Sequence, residues 1–131
     1  MKIFRAGVVL IFISLIHAAE RKGTPVQQAP AKYVQLQNPF EGTQSAAQAG
    51  QKLFARECAA CHGKNAGGIG KAPPLVTPDV SRAAPGALFW VLRNGSMKRG
   101  MPSFAHLPEP QRWQIVSYLK SLGPLSQLSV H

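Results

Sequence analysis

Hydrophobic and polar positions fall into three helical patterns, separated by long stretches with no sustained period. Thr43–Glu57 places Ala46, Ala49, Gly50, Leu53 and Phe54 at the i, i+3, i+4, i+7, i+8 spacing of one helix face. Thr43 or Ser45 can cap it, and Ala46, Ala47 and Ala49 are strong helix formers. Pro85–Asn94 predicts a second helix, with Pro suited to the first turn and Gly95 to the left-handed position after the end. Pro108–Leu122 predicts a third, stopped by Gly123-Pro124. Its stripe is Trp113, Val116, Leu119 and the stem of Lys120, beside Ile115, Tyr118 and Leu122. Gly63–Ala84 and Ser96–Leu107 read as loops, punctuated by Gly67, Gly68, Gly70, Pro73, Pro74 and Pro78 in the first of them. No stretch alternates as a strand, and no repeat is visible. The fold class is therefore all-α. Its loops are long for a domain of this size, which points to a large apolar cofactor that they wrap around.

The two ends of the chain follow other rules. Lys2 and Arg5 precede the uncharged run Ala6–Ala18, then small residues at Ala18 and Ala19 and the polar run Glu20–Gly23. That order reads as a secretory signal over residues 1–19, cleaved after Ala18 or Ala19. An uncleaved anchor is the minority reading, because a spanning helix needs roughly 20 apolar residues. Export places the mature chain in the periplasm or outside the cell, without stable membrane insertion. Residues 20–42 hold Pro25, Pro30, Pro39 and several Gln, and read as a flexible linker. Residues 43–123 form the domain, and residues 124–131 a C-terminal tail.

Composition narrows this further. The 131 residues suit one domain, and two cysteines exclude a multi-disulfide scaffold. Lys plus Arg is 15 against 5 for Asp plus Glu, a formal charge of +10. Removal of residues 1–19 leaves 13 basic and 5 acidic side chains. Charge alone does not choose between nucleic acid, a membrane surface and an acidic protein partner.

Chemistry decides. Both cysteines lie in Cys58-Ala59-Ala60-Cys61-His62, a C-x-x-C-H run, which reads as c-type haem attachment. Two thiols three residues apart at a helix end reach the two vinyl groups of one porphyrin, and His62 is then held under the iron as an axial ligand. A thioredoxin-like motif would need a βαβ context. A zinc site would need a second ligand pair, and a plain disulfide would leave His62 incidental. Met97, Met101, His106 and His131 are candidates for the second axial position. Met101 is favoured: Gly100 permits close approach of the backbone, and Pro102 fixes a turn that presents the thioether inward. Met97 sits beside Lys98 and Arg99, which prefer solvent. Phe54, Leu75, Leu88, Val91, Leu92, Phe104, Leu107, Trp113 and Leu119 are the expected pocket walls.

These residues resemble class I c-type cytochromes, in particular small bacterial periplasmic monohaem cytochromes, over about residues 43–123. Gly50 and Phe54 before the C-x-x-C-H run, Ile115 and Tyr118-Leu119 on the last helix, and Gly100-Met101-Pro102-Ser103-Phe104 carry the likeness. So does Ala72-Pro73-Pro74-Leu75. The resemblance implies short helices wrapped around one covalent haem c, with Gly50 at a close crossing of the first and last helices. It implies that the carbonyl of Pro73 accepts a bond from the Nδ1–H of His62. The glycine-rich Gly63–Gly70 loop departs from the family pattern and leaves the haem-edge contacts unassigned.

The function that follows is one-electron transfer without catalysis. Two filled axial positions leave no open site for substrate, and ligands that stay the same in both oxidation states keep reorganisation small. The partners are redox proteins, such as a periplasmic dehydrogenase, an oxidase or another cytochrome, with an acidic docking surface that meets Lys52, Arg56, Lys64, Lys71, Lys98 and Arg99. Nucleic acid is excluded by export and by the lack of a recognition motif. Two alternatives are a fixed cytochrome subunit of a larger dehydrogenase, and a haem enzyme or gas binder if Met101 is displaced.

Overall fold

The computed structural model describes residues 23–123. The signal read over residues 1–19 and the tail at 124–131, with His131, lie outside the described residues.

The three helices set by the hydrophobic pattern are present as α2 (Gln44–Glu57), α5 (Pro85–Asn94) and α6 (Glu109–Leu122). Three single-turn helices join them: α1 (Ala31–Val34), α3 (Ala59–His62) and α4 (Pro78–Arg82), with 3-10 turns at Val26–Gln28 and Met97–Arg99. The described residues contain no strand. The most extensive pairing is between α2 and α6. Its closeness has one cause. A Cβ on Gly50 would overlap the carbonyl oxygen of Gln114, so only glycine lets the two backbones meet there. Phe54, Ile115 and Val116 are fully buried at this crossing. The Phe54 ring lies 5.3 Å from that of Tyr118.

Helix α5 closes the core from the other side. Pro85 occupies its first turn, and Gly95 follows its end at φ +67°. Phe89 stacks on Trp113 with ring centroids 4.0 Å apart. The guanidinium of Arg112 lies 4.8 Å from the Phe89 ring centroid, with Nε and Nη1 buried and without partners. A helical period does not foresee a buried arginine, since charged side chains are almost never fully buried unless paired.

Three local expectations are revised. Thr43 occupies the N-cap of α2, but its hydroxyl makes no capping bond. The loop expected at 63–84 contains α4, where Thr77 Oγ1 accepts from the backbone N–H of Val80 and Pro78 opens the helix. The Lys120 ammonium donates to the carbonyls of Ser81 and Ala83, the latter at 2.7 Å, so its head as well as its stem is engaged.

The largest revision concerns the expected linker. From Gly23 onward it is packed. The 3-10 turn at 26–28 and α1 lie on α5, and Val26, Tyr33 and Phe40 pack against the core. A Cβ on Gly86 would overlap the carbonyl oxygen of Tyr33, so the segment's backbone rests directly on α5. Asn38 is buried. Its amide donates to Ser117 Oγ at 2.9 Å and to the Trp113 carbonyl at 3.4 Å, and its Oδ1 accepts from the backbone N–H of Phe40 at 2.9 Å. The apolar residues of this segment stand too far apart to give a period. Their order comes from tertiary contacts instead.

Candidate functional site

The C-x-x-C-H run straddles a break. Helix α2 ends at Cys58, whose φ of −121° leaves the helical region, and α3 carries Cys61 and His62. Cys58 is buried at the end of α2, and Cys61 is exposed one turn later. Both are free thiols. Burial, reinforced by Glu57 and Cys61, pushes the Cys58 thiol up to about 11, so it is protonated at neutral pH.

His62 is fixed by its neighbour loop. Its Nδ1 lies 3.0 Å from the backbone carbonyl oxygen of Pro73. A carbonyl only accepts, so the proton of a neutral ring sits on Nδ1 and the lone pair on Nε2. The glycine-rich stretch between them sets this distance. The Gly68 N–H donates to the His62 carbonyl at 2.7 Å, and the Leu75 N–H to the Ala66 carbonyl at 2.8 Å. Gly68 has φ +85°, and a Cβ there would stand 2.7 Å from Pro74 N and 2.9 Å from the Ala72 carbonyl oxygen. Ala66 is fully buried at φ +56°, a left-handed conformation uncommon for alanine. The loop that departed from the family pattern is thus what brings Pro73 to His62.

Met101 is half-buried against the core on a second loop. Its N–H donates to the Ser96 carbonyl at 3.1 Å, and its carbonyl accepts from the Ser96 N–H at 2.8 Å. The Phe104 N–H donates to the Leu92 carbonyl at 2.8 Å. The Ser103 hydroxyl donates to the Arg93 carbonyl at 2.5 Å and accepts from the Ala105 N–H at 3.1 Å. A Cβ on Gly95 would stand 2.6 Å from the Pro102 carbonyl oxygen. The loop is therefore bonded to the end of α5 on both sides of Met101, with no space beneath it. Met97 is 72% exposed, unlike Met101. His106 is exposed, with its ring 5.9 Å from Phe104.

These residues suit a covalent haem. A buried and an exposed thiol, an imidazole nitrogen and a half-buried thioether are the donor types that could hold such a group. Leu75, Met101 and Phe104 each rest on the core with part of their surface uncovered, as apolar walls for a flat apolar group would. Leu88, Val91, Leu92, Leu107, Trp113 and Leu119 are buried. Among the described residues no cluster of three or more His, Cys, Asp or Glu is placed to hold a bare metal ion. Ser103, Gly95 and Gly68 escaped the sequence reading as site residues. Gly68 was visible only as loop punctuation and Gly95 only as a helix stop, and a hydroxyl that ties one backbone to another has no sequence signature.

Comparison with known proteins agrees with this chemistry. The family model described as Cytochrome C oxidase, cbb3-type, subunit III matches residues 45–119. The fold is similar to the crystal structure of cytochrome CL from the marine methylotrophic bacterium Methylophaga aminisulfidivorans MPT, at a TM-score of 0.57 and 24% identity. The match covers 65% of this chain and 58% of that one, so the chain spans less than two thirds of that protein. No curated protein matches.

Proposed function

The chain belongs to the c-type cytochrome family described as Cytochrome C oxidase, cbb3-type, subunit III, and we propose that it is an exported one-electron carrier whose haem iron is held by His62 and Met101. As an electron-carrying c-type cytochrome it has covalently bound haem c, with iron. When bound, that group supplies a one-electron couple at the iron.

The chain's own residues do the rest. Cys58 and Cys61 would hold the group covalently, each thiol forming a thioether by addition of its S–H across a vinyl group, with no by-product. His62 offers Nε2, and the Pro73 carbonyl holds the Nδ1 proton in place, which orients the ring and strengthens it as a ligand. Met101 would offer its thioether sulfur as the second iron ligand. A thioether donor in an apolar pocket favours the ferrous form relative to a second imidazole. Leu75 and Phe104, half-buried against the core, would exclude water from the bound group.

The bond from His62 Nδ1 to Pro73, one residue after Cys61, is the observation that carries this reading. The test is the mass of the chain after expression with a haem-attachment system and full denaturation. An increase of one haem is expected, together with the weak long-wavelength band that methionine sulfur gives on ferric iron. An unmodified mass overturns the attachment, and a missing band overturns Met101 as ligand.

Periplasmic placement rests on the signal-like order of residues 1–19. Among the described residues no helix is long and apolar enough to cross a membrane. The partner is proposed to be a redox protein with an acidic surface, such as a dehydrogenase, an oxidase or another cytochrome. Lys52, Lys64, Lys71, Lys98 and Arg99 are exposed on segments flanking the site, whereas Arg56 is paired with Glu57 at 2.6 Å. A second reading, a fixed subunit of a larger complex, is favoured by the family description, which names an oxidase subunit. Stable co-purification at about 0.15 M salt, where the Debye length is about 8 Å, would select it over a free shuttle.

A further inference from the structure

Residues 23–36 make one hydrogen bond to the Met101 loop and one to the end of α5, on which that loop rests. The Arg99 guanidinium, in the 3-10 turn between Ser96 and Met101, donates to the Gly23 carbonyl at 3.0 Å. The Arg93 guanidinium donates to the Tyr33 hydroxyl and lies 5.9 Å from the Tyr33 ring centroid. Arg93 is also the residue whose carbonyl receives the Ser103 hydroxyl, two positions after Met101. The arm before Met101 is thus fastened directly to the N-terminal segment through Arg99, and the arm after it indirectly, through the end of α5 that Tyr33 holds at Arg93. Gly86 permits this, because its missing side chain lets the Tyr33 carbonyl lie on α5.

We propose that residues 23–36 form a strap that holds the Met101 loop closed, with Tyr33 and Arg99 as positioning residues for the axial thioether. Opening the iron to another ligand requires Met101 to swing out. That movement displaces the 3-10 turn at 97–99 and the end of α5, and with them the contacts of Arg99 and Arg93. The strap adds these contacts to the closed state alone, so it lowers the fraction of molecules in which the site is open. A ligand that needs the open state then binds more weakly by that fraction. Hydrogen bonds to charged groups are the stronger kind, so losing two of them changes that fraction on the order of tenfold. This inference rests on Met101 as ligand.

The experiment uses the full-length ferric haem protein with imidazole as the competing ligand. Gly86→Val pushes the strap off α5, and faster tryptic cleavage after Lys32 reports its release. Tyr33→Phe combined with Arg99→Ala removes the two contacts without touching α5. Each is expected to bind imidazole on the order of tenfold more tightly than wild type and to lose the sulfur–iron band at lower imidazole concentration. If Gly86→Val does not retain haem, the double variant decides. A released strap, or a double variant, with wild-type imidazole affinity overturns the strap. A wild-type protein with no sulfur–iron band overturns Met101 itself, and the strap's role with it, which separates the two failures.

Discussion

At the scale of single residues, the site divides into side chains that act and backbone that places them. His62 is pinned by a carbonyl, and a carbonyl does not depend on the side chain that bears it. Pro73→Ala is therefore expected to keep both haem and the sulfur–iron band, and to lose only the stiffness that proline gives the loop. Loss of haem in that variant would show that the ring of Pro73, not its carbonyl, does the work. Met101→Ala should act differently. It should abolish the band, let imidazole or cyanide bind the ferric iron, and lower the reduction potential, all measurable by absorbance titration. The same division explains what could be read in advance. Cys58, Cys61 and His62 are legible because their side chains and spacing are the chemistry. Pro73 was legible only through family resemblance, since any residue supplies a carbonyl. Ser103 was visible as part of the family-like run, but not the bond by which it joins the Met101 loop to Arg93.

Among the elements, packing is limited by places where one backbone meets another. The α2–α6 crossing at Gly50 has no space for a methyl group. Gly50→Ala should separate the two helices and cost about 3 kcal/mol, a fall of roughly 10 °C or more in Tm for a domain of this size. Helix α4 is held by a different device, the Lys120 ammonium on the carbonyls of Ser81 and Ala83. Lys120→Met removes both bonds and should cost about 1 kcal/mol in denaturant melts. Burial lowers the Lys120 pKa, with Glu41 opposing. Between the lowered and the ordinary value the unfolded chain binds more protons, so stability rises with pH across that window as the burial penalty on the charged Lys120 is relieved, and is independent of this group's titration below it. The Met variant should lack that rise. The helical periods of α2, α5 and α6 were legible because each buries one continuous face. Residues 23–42 were not, because three prolines and scattered apolar residues give no period. The segment is ordered by Gly86 and Asn38, whose partners lie far away in sequence. The burial of Arg112 was not legible for a related reason: its cation lies against Phe89 rather than in water.

For the whole molecule the governing quantity is the distribution of charge. A surplus of ten positive charges over the chain says only that anions are attracted, and a site that exchanges electrons cares about the charge at its own edge. Lys64 and Lys71 lie on the loop that runs from His62 to Pro73, so they are bound to the site by connectivity and by the bonds that close that loop. Arg82, at the end of α4, is exposed but lies outside the segments that carry the site. Small inorganic oxidants of opposite sign separate local from total charge. Oxidation of the ferrous protein by anionic ferricyanide should slow as salt is added, and oxidation by a cationic cobalt complex should speed up, because screening removes attraction in one case and repulsion in the other. Lys64→Glu should flatten both salt dependences, while Arg82→Glu, the same change in net charge, should leave them much closer to wild type. Equal flattening by the two variants would mean that the molecule steers its partners by total charge. The basic residues around His62 and Pro73 would then have no special part in docking.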